Sequence, residues 1–164
     1  MESNMKDIGK KLIKVSSKWT GVYLRVALGV MILPHGSQKL LGWFGGYGFQ
    51  GTMKFFTESM NIPWVFALSV ILIEFFGGIA LLLGIGTRVF AFLTGIVMFV
   101  ALLLVHAQHG FFMNWFGNQK GEGIEFFILA IGISIALVIE GSGKLSIDSL
   151  FSKLLDKSNQ NEAK

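Results

Sequence analysis

The run WVFALSVILIEFFGGIALLLGIGTRVFAFLTGIVMFVALLLVH, residues 64–106, carries only two charged side chains, Glu74 and Arg88. An α-helix rises about 1.5 Å per residue, so about twenty apolar residues cross the roughly 30 Å of hydrocarbon in a bilayer. The run is about twice that length, and GIGTR, residues 84–88, breaks it in the middle. It therefore predicts two spans, about 64–84 and about 88–108, turned against each other as an antiparallel hairpin. Two further apolar blocks flank it, about 19–41 and about 124–140, with Gly-rich and polar connections between. The fold class expected is all-α, an integral membrane four-helix bundle over residues 19–141, with a basic amphipathic N-terminal tail (1–18) and a C-terminal tail (142–164) that begins amphipathic and ends polar.

Composition agrees. Of 164 residues 52% are hydrophobic, with sixteen Phe, four Trp and twenty-one Gly, and the mean hydropathy is +0.62; soluble domains are less apolar, and Gly is commoner in membrane helices. The absence of cysteine excludes disulfides, thiolate metal sites and iron–sulfur clusters. The net charge of +4 comes from lysines beside apolar blocks and not from a patch interleaved with aromatics, so the expected partner is an anionic inner lipid leaflet and no nucleic acid.

Lys6, Lys10, Lys11, Lys14 and Lys18 precede the first block, Arg88 sits in the short turn, and Lys144, Lys153, Lys157 and Lys164 follow the last. The two long connections hold only Lys54 and Lys120, with Lys39 at a helix end. The positive-inside rule then makes both termini cytoplasmic. The first block is too long for a signal peptide's apolar region, contains Arg25 and His35 and lacks a small-x-small cleavage site. Ile8, Leu12, Val15 and Trp19 recur at helical spacing, as do Ile147, Leu150, Phe151, Leu154 and Leu155 after a Ser146 cap; both read as helices lying along the inner leaflet. MKFFTESMNIP, residues 53–63, reads as a short interfacial helix or a cap over the outer mouth.

Ionisable groups inside hydrocarbon are expensive and face the bundle interior. Arg25, His35, Glu74, His106 and Glu125 each share a helical face with small residues: Arg25 with Gly29 and Gly36, Glu74 with Ala67, Gly77 and Gly78, His106 with Gly95, Glu125 with Gly132 and Ala136. Small residues let helices approach, so the polar faces are expected to be packing faces. Depth by residue count suggests an Arg25–Glu74 pair, the alternative being an Arg25 that snorkels to the inner headgroups. His35, His106, His109 and Glu125 gather near the outer end, Pro34 bends the first helix there, and Lys39 lies one turn above His35. Together they predict an outward-facing polar pocket; the alternative is histidines that merely bond neighbouring helices or sit in headgroups. GYGFQG, residues 46–51, satisfies G-x-G-x-x-G, but it follows a membrane helix and is read as a chance match. His35, His106, His109 and Glu125 are of the right type for a metal, and His35 with His106 for one axial haem, yet no fixed ligand spacing supports either and the metal stays unknown.

The segments LRVALGVMILPHGSQKLLGWFGG, GTMKFFTESMNIP, IEFFGGIALLLGIGTRVFA, VHAQHGFFMNW, IEFFILA and GSGKLSIDSLF follow one another in an order and spacing that resemble the DoxX family of small four-helix membrane proteins, over roughly residues 20–151. The long basic start departs from the family's shorter one. The resemblance implies kinship with membrane subunits of thiosulfate:quinone oxidoreductases and of complexes linked to oxidative stress. The function expected is therefore a component of an oxidoreductase system in a bacterial inner membrane, binding a quinone or small redox substrate. His35, His106, Glu125 and Glu74 are the candidate catalytic residues, and Arg25, Gln38, Lys39 and His109 the candidate binding residues. Electrons would come from a partner redox subunit or the substrate, and a homo-oligomer is a further expectation. The competing reading is a non-catalytic binding or chaperone-like module for a lipid, a small molecule or a partner protein.

Overall fold

A computed structural model describes residues 18–162, with side chains to residue 154. Within them the chain is all-helical, with no strand. Six α-helices follow one another: α1 (Thr20–Leu41), α2 (Gly48–Lys54), α3 (Trp64–Leu83), α4 (Thr87–Ala101), α5 (Glu125–Glu140) and α6 (Ile147–Glu162). Two wider π-helical turns continue α2 and α4, at Phe55–Ser59 and Leu102–His106. The long helices coincide with the four apolar blocks. Trp64–Leu83 and the continuous run Thr87–His109 are long and apolar enough to cross a membrane. The other two fall short of that measure, because α1 carries Arg25, His35, Gln38 and Lys39 and α5 has 16 residues.

Packing follows the small residues. A Cβ on Gly36 would meet the backbone of Glu74 and Phe75 at 2.4–2.5 Å, and one on Gly29 would meet Leu82 at 2.9 Å, while Gly78 lies under Leu33. Position falls along α3 as it rises along α1, so the two are antiparallel and nearly in backbone contact. Gly84 and Gly86 take left-handed φ of 68° and 52° and fold α4 back on α3, as the hairpin reading requires. Leu28 and Ile32 of α1, Leu81 of α3, Met98 of α4 and Leu137 of α5 belong to one buried core. α2 docks through buried Met53 on Ala67 and Ile71, so the expected short helix is present and starts earlier, at Gly48. The small-residue rule fails on α5. Gly132 is exposed and a Cβ there would meet nothing within 4 Å.

The start of α1, the 84–87 turn, the end of α5 and the start of α6 meet at one end of the molecule. Asp148 accepts hydrogen bonds from the backbone N–H of Gly86 (2.7 Å) and Thr87 (3.0 Å), capping α4 from outside it. Ser146 caps α6 as the sequence suggests, its Oγ accepting from the Ser149 N–H at 3.1 Å. That cap nucleates a helix that runs on to Glu162, through residues read from sequence as a polar extension. The amphipathic reading of Ile8, Leu12 and Val15 lies outside the described residues.

The Arg25–Glu74 pair is not made. Arg25, 3% exposed, donates to the carbonyls of Leu81 and Leu82 at the end of α3 and of Ser142, Lys144 and Leu145 before α6. Nor does it snorkel. The register explains both outcomes: Glu74 lies opposite Gly36, eleven residues or roughly 16 Å along α1 from Arg25. Arg25 ties three segments together at the end remote from the histidines.

Candidate functional site

Met31, His35 and Lys39 recur every four residues and form one stripe on α1. Across from them Glu74 sits mid-way along α3, its side chain 5% exposed, and Lys39 Nζ lies 2.6 Å from its Oε2. Lys39 can reach back because it stands one turn beyond Gly36, where α1 and α3 touch. The ion pair that the sequence assigns to Arg25 is thus made by Lys39, which the sequence places one turn above His35 as a candidate binding residue.

His106 arrives from the other side. It ends the Leu102–His106 π-turn, and the extra residue of such a turn rotates the side chains beyond it by about 100°. Gly95, which simple α periodicity puts on the His106 face, contacts Ser134 of α5, and His106 meets the same helix at Phe127 while bordering the cavity that α1 and α3 line. Its Nδ1 is 2.8 Å from the Glu122 carbonyl oxygen. A carbonyl can only accept, so Nδ1 carries the proton and Nε2 is left with the lone pair. The ring lies 4.1 Å from that of Phe127, centroid to centroid.

These side chains line one cavity of about 410 Å³: His35, Lys39, Glu74, His106 and Glu122 supply the polar groups. Met31, Met98, Met113, Ala101, Phe126 and Phe127 supply the apolar wall. A second cavity, about 400 Å³, shares Lys39, Glu74 and His106 and is closed by Phe55, Phe56 and Leu104 among others, so both π-turns border it. A third, about 290 Å³, is bounded by Gln38, Lys39, Gly46 and Tyr47. Lys39 is common to all three.

Of the residues expected to act together, His35, His106, Glu74 and Lys39 do converge, while Gln38, His109, Glu125 and Arg25 do not line this cavity. Gln38 donates to the Phe44 carbonyl at 3.3 Å and faces the third cavity. The His109 ring packs on Gly121. Glu125 accepts the Met113 N–H at 3.1 Å and so holds the 110–124 loop in place of approaching the histidines. Accordingly no three His, Asp or Glu side chains among the described residues are grouped to hold a metal. The carboxylate that sequence reasoning missed is Glu122, which also accepts the Asn114 N–H at 2.6 Å. It lies in a Gly-rich connection outside every apolar block, and its only signal was an acid three residues ahead of Glu125. GYGFQG follows a helix and not a strand; Gly46 folds it back onto the Gln38 backbone.

The DoxX family profile matches residues 22–107, which include the α1 stripe, Glu74 and His106. The chain belongs to the DoxX family. Within it, this DoxX protein is 30% identical over 125 residues to "Putative oxidoreductase CatD" of Bacillus subtilis (strain 168), covering 76% of this chain and 81% of the relative. It is 33% identical over 112 residues to "Inner membrane protein YqjF" of Escherichia coli (strain K12), covering 68% of this chain and 81% of the relative. No solved structure matches it. Family and apolar helices together make it a membrane protein.

Proposed function

We propose that this DoxX protein is the membrane component of an oxidoreductase system and binds a quinone, or a redox substrate of similar size, in the joined cavities around Lys39. The observation that carries the reading is the convergence of His35, Lys39, Glu74 and His106, from three helices, on a space that Glu122 also borders and that is otherwise walled by Met, Phe and Ala. A quinone ring needs an apolar slot and donors at its two oxygens. Reduction to the quinol takes up two electrons and two protons; the electrons come from a partner redox subunit or a reduced small molecule. In this scheme His35 and His106 hand protons to the substrate oxygens; His106, whose Nδ1–H is held by the Glu122 carbonyl, does so through Nε2, which first takes up a proton. The Lys39 ammonium steadies charge on the nearer oxygen, and Glu74 holds Lys39. The B. subtilis relative, with oxidoreductase in its name, supports the class of reaction.

The same proposal includes four membrane crossings, α1, α3, α4 and α5, as a bundle in a bacterial inner membrane, with both termini cytoplasmic and the cavities in the outer half. The E. coli relative is named for that membrane.

The test is equilibrium binding of decyl-ubiquinone to the purified chain in detergent, with turnover in membranes as the second readout. His35→Ala and His106→Ala are expected to lower quinone-linked turnover by about 10²–10⁴-fold, the usual worth of a positioned proton donor, at unchanged expression. Wild-type protein that retains lipid but binds no quinone would overturn the reading in favour of a non-catalytic binding module.

A further inference from the structure

The root of α6 is fixed to the turn between the two most apolar helices. The Asp148 N–H donates to the Gly84 carbonyl at 2.9 Å, the Asp148 carboxylate holds the Gly86 and Thr87 N–H groups, and Arg25 grips the Leu145 carbonyl at 2.6 Å. Trp64–Leu83 ends and Thr87–His109 begins at this turn. A hairpin of two membrane-crossing helices reverses at a bilayer surface, so α6 starts at that level.

What α6 shows there is apolar. Leu150 and Phe151 each lie one turn before Leu154, and all three are exposed. Ahead of them Leu145 takes a left-handed φ of 52°, a conformation that suits Gly and strains a branched side chain. Its side chain is nevertheless 73% exposed, so no packing within the described residues offsets that strain. The charge beside these side chains has one sign. Both carboxylates of this end are engaged, Asp148 by the helix N–H groups and Glu140 by Lys18 at 3.3 Å. Lys144, over the Trp19 ring, and Lys153 are exposed and leave the surface cationic. A rooted helix with an apolar face and flanking lysines fits an anionic lipid surface.

We propose that α6, with Leu145 ahead of it, is a foot that binds anionic phospholipid, Leu145, Leu150, Phe151 and Leu154 entering the acyl boundary while Lys144 and Lys153 reach the lipid phosphates. The proposal uses neither the cavities nor the histidines, so its failure would leave the quinone reading untouched. Because the chain has no cysteine, full-length Leu154→Cys protein takes a single fluorophore. It is reconstituted in nanodiscs of phosphatidylcholine, with or without phosphatidylglycerol, and quenched by nitroxide-labelled lipid. The ratio of immersed to free helix read from the quenching should be at least about tenfold higher with phosphatidylglycerol, since each lysine beside an anionic leaflet is worth roughly fivefold. High salt should remove the preference, and so should Lys144→Gln/Lys153→Gln. Leu145→Gly, which relieves the left-handed φ, should lower the ratio by about tenfold with melting unchanged or raised. The same probe at Phe151→Cys repeats the measurement should Leu154→Cys fail to fold. No quenching in either disc, as when a second copy or a partner protein covers the helix, would overturn the proposal. Equal quenching in both discs, a lysine variant that keeps the preference, or an unchanged ratio in Leu145→Gly would do the same.

Discussion

Lys39 decides whether Glu74 is tolerable. The carboxylate is 5% exposed and bounded by apolar walls, and its one ion-pair partner among the described residues is the Lys39 ammonium at 2.6 Å. Removing one member of a buried pair strands the other charge and costs about 3–5 kcal/mol, whereas replacing both by neutral groups of similar volume is often harmless. Lys39→Met should therefore lower the melting temperature in detergent sharply, and adding Glu74→Gln to it should recover most of the loss. Additive losses in that double-mutant cycle would mean that the two side chains do not act as a pair. The pairing was only half legible in the sequence. Glu74 announces itself as a lone acid in an apolar span. Which cation meets it depends on where the helices touch, and Gly36 against the backbone of Glu74 and Phe75 sets that contact. Residue counting from span centres put Arg25 there, eleven positions astray.

At the scale of elements, close approach of α1 and α3 carries both the fold and the cavities. A methyl group on Gly36 would lie 2.4 Å from the Phe75 nitrogen, and backbone does not yield as a side chain tip does. Gly36→Ala should destabilise by about 1–3 kcal/mol, as overpacking does, and should loosen the Lys39–Glu74 contact beside it. Gly132→Ala, in open space on α5, should be neutral or slightly stabilising, Ala being the better helix former. Thermal melts of the two variants side by side check this; equal losses would show that glycine content matters here and not the α1–α3 contact. The contrast also marks what pattern can and cannot reveal. Helix positions follow from apolar runs, and the GIGTR turn, the Ser146 cap and the loop helix on α3 were all readable. The π-turn at Leu102–His106 was not, since LLLVH has no composition that distinguishes a wide turn from a regular one, and His106, which lines the cavity, ends that turn. Glu125 and Gly132 illustrate the converse: residue type suggested a packing face, but α5 begins at Glu125, where the carboxylate is spent on the loop before it.

For the whole molecule, the two ends differ in kind. One gathers the start of α1, the 84–87 turn and α6, with Arg88, Lys144 and Lys153; Lys144 stands 5.6 Å over the Trp19 ring. The other exposes Trp43, Phe44, Tyr47, Trp115 and Phe116, the last at 88%, aromatics of the kind that settle at a membrane surface. Between them the helices turn Phe76, Phe92, Phe99 and Ile139 outward at 52–70% exposure, a surface suited to lipid and ill suited to water. The proposed orientation puts the lysine-bearing end in the cytoplasm, and the chain is unusually easy to interrogate because it has no cysteine of its own. Lys120→Cys and Lys153→Cys, both exposed and at opposite ends, give one thiol each against no background. With intact cells a membrane-impermeant maleimide should label Lys120→Cys and reach Lys153→Cys only after permeabilisation. The opposite result would turn the cavities toward the cytoplasm, and labelling of both thiols from the same side would rule out the proposed set of crossings, because the segment between them, which contains α5, would then not traverse the bilayer.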